Sequence, residues 1–178
     1  MARIPYAAPE DFPPDTAKLM GQLAPLNIFA MLANAPHLLR PFVGLGSAFL
    51  YDGLLDPITR ECAILRVGYL AGASYETTQH EKIGLDVGMD AALIEAVKAG
   101  PDAAGLSTEQ ALTLAFVDDI IANVKASPET FDPALAHFGA ARLQELTLVT
   151  GYYMMVCRFL ETFEVELEAA PVDVGISS

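Results

Sequence analysis

The chain has no tryptophan, only two cysteines, and 10 Lys+Arg against 23 Asp+Glu in 178 residues. Each shortage excludes something. With a net charge of −13 and no cluster of basic residues, nucleic acid and anionic membrane surfaces are poor partners. Cys62 and Cys157 sit singly within apolar stretches, which suits reduced core thiols of a cytoplasmic protein rather than a disulfide framework. His37, His80 and His137 lie far apart with no paired metal-ligand spacing, so no metal site is expected. Long apolar runs are missing too. Arg66, the Asp118–Asp119 pair, Glu145 and Arg158 interrupt them short of the ~18–20 residues a membrane helix needs. The first residues, MARIPYAAPEDFPPD, contain no hydrophobic signal core.

What is present is an apolar composition. Hydrophobic residues make up 53% of the chain and charged residues 19%. One domain of this size leaves apolar surface over, and burying it between identical subunits is the expected outcome. Four prolines in residues 1–15 read as an extended arm, suited to lie on a neighbouring subunit. A single helical domain follows over 16–170, and residues 171–178 read as a flexible tail.

Punctuation by proline, glycine and capping residues divides the domain into about seven to nine helices, with no alternating run that would make a strand. Short helices are expected near 15–23 and 25–34, then one over 37–51. Asp56–Pro57 starts a helix to about residue 72, because an Asp N-cap precedes a ring already set at helical φ. Gly72 to Ser74 breaks it, Ser74 can cap a helix over 75–87, and Gly88 closes that one. Asp90 caps a short helix to about Ala99. Ser107 and Gln110 form a capping box that opens a helix to about Lys125. A short segment begins around Ser127–Pro128 and Asp132–Pro133, and a last long helix spans about 140–162. The expectation is all-α.

Chemistry concentrates in DPITRECAILRVGYLAGASYETTQHEKIGLDVGM, residues 56–89. Glu76 and His80 are four apart and share one helix face, so a carboxylate can orient the imidazole and raise its basicity. Such a pair also occurs as an ordinary surface contact. Glu61 lies near the start of its helix, where a carboxylate favours the dipole for structural reasons alone. Arg66, inside AILRVGYLAGA, must be paired or reach solvent; it suits either a structural ion pair or a clamp for a substrate carboxylate. Tyr75 either covers a helix end or donates its hydroxyl to a developing oxyanion. Tyr152, Tyr153, Met154, Met155 and Phe159 read as core or interface. Of Asp118 and Asp119, one is expected to be solvated and the other to pair with a cation, since neighbours on a helix point about 100° apart.

The string from Arg60 to His80, together with RFLETFEVELE near the C-terminus, resembles the carboxymuconolactone decarboxylase family, which also contains the alkylhydroperoxidase D proteins. The resemblance covers residues 36 to 168. It implies an all-α helical bundle of the alkylhydroperoxidase D-like type, a homo-oligomer (trimer or hexamer), and a site at Glu61, Tyr75, Glu76 and His80. The peroxidase branch carries Cys-x-x-Cys-x-x-x-His, and aligned on His80 those cysteine positions here are Ala73 and Glu76. A dithiol cycle needs a thiolate and a resolving cysteine within disulfide reach. The decarboxylase-like branch often places an aromatic after Tyr-Glu, where this chain has Thr77.

These readings lead to a non-redox enzyme acting by proton transfer on a small carboxylic acid or lactone, with decarboxylation or a related elimination as outcome. His80 would be the acid/base, tuned by Glu76; Tyr75 and Arg66 would stabilise negative charge, and Glu61 would position His80 or a water. That chemistry needs no organic cofactor. The alternatives are a peroxidase that enlists Cys62, and a non-catalytic oligomer binding a small apolar ligand.

Overall fold

The computed structural model describes residues 1–170 and 172 of the chain, so most of the expected tail lies outside the described residues. Among those described there are eight α-helices, one 3-10 turn and no strand. They are α1 (Pro14–Met20), α2 (Asn27–Leu32), α3 (Pro36–Tyr51), α4 (Pro57–Ala71), α5 (Ser74–Asp86), α6 (Ala91–Ala99), α7 (Thr108–Asn123) and α8 (Pro128–Phe163).

Most boundaries fall where local chemistry puts them. Asp56 caps α4 by accepting from the backbone N–H of Ile58 at 2.9 Å and of Thr59 at 3.3 Å. Ser107 and Gln110 form the reciprocal capping box of α7. Gly72 ends α4 in the left-handed region (φ 66°), which lets the chain reverse into α5. One expectation needs correction: Ser74 does not cap α5 but is its first residue, after Ala73, which offers no side-chain oxygen. The short segment expected from Ser127–Pro128 and the long helix expected over about 140–162 are the two parts of α8, separated by a break at Gly139, whose φ of 70° and ψ of 169° are not helical.

α4 is the centre of the bundle. Residues 59–68 are all buried, and the helix packs against α5, α6, α7 and α8. On one side Ala63, Ile64 and Val67 join Leu146, Val149, Tyr153 and Leu160 of α8. On the other, Cys62 and Leu65 meet Ile94 and Val97 of α6 and Leu114 of α7. Gly68 permits the close approach of α5, since a Cβ there would come within 2.8 Å of the Thr77 methyl. A helix enclosed like this has few ways to carry charge, and each of its buried ions requires a partner.

The N-terminal arm is tied to its own chain. The Arg3 N–H donates to the Phe163 carbonyl at 3.0 Å, and the Ala7 N–H to the Ala30 carbonyl at 3.1 Å. Asn34 reaches the Pro5 carbonyl at 3.1 Å, and the Tyr6 hydroxyl accepts from the Glu166 N–H at 3.1 Å. Among the described residues no helix is long and apolar enough to cross a membrane.

Candidate functional site

Buried charge collects where α4 meets α5. Glu61, the fifth residue of α4, is fully buried, so the first-turn dipole role does not describe it. Its Oε2 lies 2.6 Å from His80 Nδ1, and its Oε1 accepts from Arg60 Nε at 3.1 Å. Arg60 is anchored in turn by donating from Nη1 to the Leu50 carbonyl at 3.2 Å. One turn before His80 on α5, Glu76 places Oε1 3.1 Å from His80 Nε2. The imidazole is therefore bracketed by a carboxylate at each nitrogen, with the Tyr153 ring nearly perpendicular to it at 5.0 Å between ring centroids.

Glu76 and His80 are 4% and 7% exposed. The surface-pair reading of their spacing does not hold. Burial by itself lowers the His80 pKa, but the Glu61 and Glu76 carboxylates outweigh it and push the value up to about 10. At neutral pH His80 is an imidazolium, donating from Nδ1 to Glu61. Although within reach of Nε2, Glu76 Oε1 accepts no well-aligned hydrogen bond and is the unsatisfied buried side-chain atom among the described residues.

Glu76 and His80 are among the residues lining a cavity of about 370 Å³ between α5, α8 and the helices α2 and α3. Tyr75, Glu76, Gln79 and His80 line it from α5, Tyr152, Tyr153 and Val156 from α8, and mostly apolar side chains such as Phe29, Phe42 and Leu50 complete it. The exposed lining residues Gln22 and Tyr51 mark where it opens. Tyr152 and Tyr153, read from the sequence as core, are buried and also form cavity wall.

Tyr75 and Arg66 are placed differently from Glu61, Glu76 and His80. The Tyr75 hydroxyl lines up with the C-terminal segment, donating to Glu168 Oε1 at 2.5 Å. Burial, followed by this bond to a carboxylate, holds its pKa far above the ordinary tyrosine value. Its donor is committed, which leaves it no free proton for an oxyanion. Gln79 likewise donates to Glu168 Oε2 at 2.6 Å, and the Asn27 N–H to Oε1 at 2.8 Å.

Arg66 points away from the cavity. It forms a two-pronged pair with Asp118 at 2.6 and 2.7 Å, and its Nη1 donates to the carbonyls of Val97 and Lys98 at 3.3 and 2.9 Å. The structural ion pair, not the substrate clamp, describes this geometry. Asp119, beside Asp118, instead accepts from Ser127, Thr130 and Asn123 and ties α7 to the start of α8.

Sequence reasoning passed over Arg60, Gln79 and Glu168. Arg60 precedes Glu61 directly, and an arginine beside a buried carboxylate was the available signal. Gln79 stands one turn after Tyr75 on the same face. Glu168 had no local signal, being 93 residues from Tyr75.

Comparison with known proteins adds to this geometry. Residues 36–127 match the model of the carboxymuconolactone decarboxylase family. Among solved structures, an uncharacterized peroxidase-related protein from Ralstonia eutropha, described as an alkylhydroperoxidase AhpD core, superposes with a TM-score of 0.80 at 19% identity, covering 94% of this chain and 93% of that one. An uncharacterized peroxidase-related protein from a Silicibacter species gives 0.76 at 18% identity, with 94% and 91% covered. At these identities the likeness shows the fold. No curated protein matches the chain.

Proposed function

Because the chain belongs to the carboxymuconolactone decarboxylase family, with the all-α fold of its alkylhydroperoxidase-like relatives, we propose that it is a non-redox enzyme that moves a proton on a small acid or lactone. The observation that carries this reading is the Glu61–His80–Glu76 array at the cavity wall, with Glu76 Oε1 unsatisfied.

The division of labour follows from the charges. His80 holds a proton at neutral pH, so it is the acid, and Nε2 is the nitrogen not taken up by Glu61. Glu61 fixes the ring through Nδ1 and balances the imidazolium. Glu76 is the base, a carboxylate whose Oε1 is held only by its 3.1 Å ion pair with His80 Nε2. In an elimination or a shift of unsaturation, Glu76 removes a proton next to the substrate carbonyl. The electron pair moves into the new double bond, and His80 returns a proton to the atom that receives the charge. In a decarboxylation the carbon–carbon bond breaks, CO2 leaves, and His80 protonates the enolate that remains. Both routes are proton bookkeeping on one substrate and need no electron acceptor.

The peroxidase reading has little support in the thiols. Cys62 and Cys157 are buried singly, and each is pushed up to about 12, first by burial and then by nearby Glu61 or Glu76 respectively. A thiol held in that state is a poor nucleophile near neutral pH.

The test is turnover of a panel of unsaturated lactones and keto acids, followed by absorbance and CO2 release, with wild type and His80→Gln. Turnover by wild type that falls roughly 10²–10⁴-fold in a folded His80→Gln protein is expected, the usual contribution of a positioned proton donor. Equal rates in both proteins would remove His80 from the chemistry and the reading with it.

A further inference from the structure

Resting on the reading of the cavity as the substrate site, we infer that Tyr153 is a catalytic residue, the hydroxyl donor that holds the substrate's carbonyl oxygen as negative charge develops on it. Whichever bond breaks, carbon to hydrogen or carbon to CO2, the electron pair left behind is drawn onto that oxygen as an enolate. In a largely apolar cavity such an oxygen depends on a donor already in place, because little water is there to turn toward it.

The donors along the wall differ in what they have left to give. Tyr75 gives its proton to Glu168, Gln79 is bonded to the same carboxylate, and the Tyr152 hydroxyl donates to the Phe42 carbonyl at 3.0 Å. Ser47 and Tyr51 have no partner among the described residues, but Ser47 is only half-buried and Tyr51 is 61% exposed at the mouth, where bulk water serves it. Tyr153 lines the cavity, is 4% exposed, and has a hydroxyl bonded to nothing among the described residues. Its oxygen is not sealed in. Glu76 Oε1 is the enclosed side-chain atom without a partner among the described residues, and the Tyr153 hydroxyl is not a second one. The little surface that Tyr153 keeps therefore includes its oxygen, and that surface is cavity wall.

The donor also stands beside the acid. Its ring is nearly perpendicular to the His80 imidazole, 5.0 Å away between centroids, so phenol and imidazolium belong to one stretch of wall. Burial, followed by the Glu76 and Glu61 carboxylates, holds the Tyr153 pKa well above the ordinary tyrosine value, so the phenol stays neutral and keeps its proton. It donates a hydrogen bond and transfers nothing: the proton that reaches the product carbon comes from His80. A charged acceptor makes that bond one of the stronger kind, and the bond strengthens as the carbonyl becomes an enolate. The oxyanion role that Tyr75 gives up to Glu168 thus passes to a tyrosine on α8.

4-Nitrophenolate is a stable stand-in for the enolate, and 4-nitroanisole has the same ring without the charged oxygen. Both are titrated into the full chain, wild type and Tyr153→Phe, at about pH 8, where His80 with its pKa of about 10 is still protonated. Phenylalanine removes the hydroxyl and keeps the ring against His80. Nitrophenolate is expected to bind wild type and to lose about tenfold or more in affinity in Tyr153→Phe, as for one lost bond to a charged acceptor. Its absorption band is expected at longer wavelength in Tyr153→Phe, the mark of a phenolate with one donor fewer, while nitroanisole affinity stays within about twofold. Equal nitrophenolate affinity with an unmoved band, an equal loss for both probes, or no nitrophenolate binding to wild type at millimolar concentration would overturn the inference. On the panel of lactones and keto acids, Tyr153→Phe is expected to lower kcat roughly 10²-fold. A rate that falls in His80→Gln but not in Tyr153→Phe would overturn the donor and leave the proposed reaction standing. The expected nitrophenolate response without turnover of any compound by wild type would uphold the donor and count against the proposed reaction alone.

Discussion

Arg66 and Glu61 stand five positions apart on α4, and both are buried, yet their charges end in opposite situations. Arg66 is saturated: two bonds to Asp118 and two to carbonyls at the end of α6 occupy its fork, and it does not line the cavity beside His80. The cluster around Glu61 is left open, since His80 is held at one nitrogen and the acceptor near the other has no aligned donor. Buried polar groups in folded proteins are nearly always satisfied, so a cluster that stops one bond short beside a cavity is the place to look for a ligand. The completed cluster maintains the bundle. The incomplete one is available for chemistry.

Breaking the completed cluster tests the first half of that contrast. Arg66→Ala leaves Asp118 without a partner and two carbonyls without a donor. The expected cost is about 3 kcal/mol of unfolding free energy, near the lower end for breaking a buried pair, because the Asp118 side chain is 29% exposed and keeps some of its water. Chemical denaturation reads the loss. If Arg66 served substrate instead, stability would change little and ligand affinity would collapse.

A titration sharpens the second half. The His80 pKa is raised from 6.5 to about 10, so the stability this group contributes is fully present below about pH 6.5 and is lost as pH climbs toward 10. Removing either carboxylate lowers the pKa. Of the two, Glu61 has the stronger influence and also the 2.6 Å bond, so Glu61→Gln is expected to lower it more than Glu76→Gln. Imidazole resonances followed against pH in the three proteins give the order directly. The reverse order would make Glu76 the anchor of the ring and Glu61 the free base, exchanging the roles assigned above.

The sequence showed the site's outline better than its wiring. Helices were legible because Asp56, Pro57, Ser107 and Gln110 act on backbone groups within three residues of themselves. The Glu76–His80 pair was legible for the same reason, its spacing being fixed by one turn of helix. What stayed hidden depends on separations of 52 residues for Arg66–Asp118 and 93 for Tyr75–Glu168, which no local rule specifies. Glu168 shows the consequence. It turned Tyr75 from an expected oxyanion donor into an anchor for the C-terminal segment. The break at Gly139 belongs with the legible features, since a short segment from Ser127–Pro128 and a long helix from about residue 140 meet there.

The smallest expected effect concerns the two cysteines, and it asks whether anything in this bundle resembles a thiol site. Both are buried and both are pushed up to about 12, so neither supplies a thiolate near pH 7. Cys62 packs with Leu65, Val97 and Leu114, on the side of α4 away from the main core, and acts there as a small apolar residue. Replacing both cysteines by alanine removes two sulfur atoms from packed surroundings, which is expected to cost on the order of 1 kcal/mol at each position and no more than twofold in kcat/KM. Peroxide consumption with a thiol reductant should be negligible before and after. If the doubly substituted protein folded and bound ligand as before but lost turnover, a buried sulfur would have to reach the substrate, and the division between a structural and a reactive side of α4 would fail.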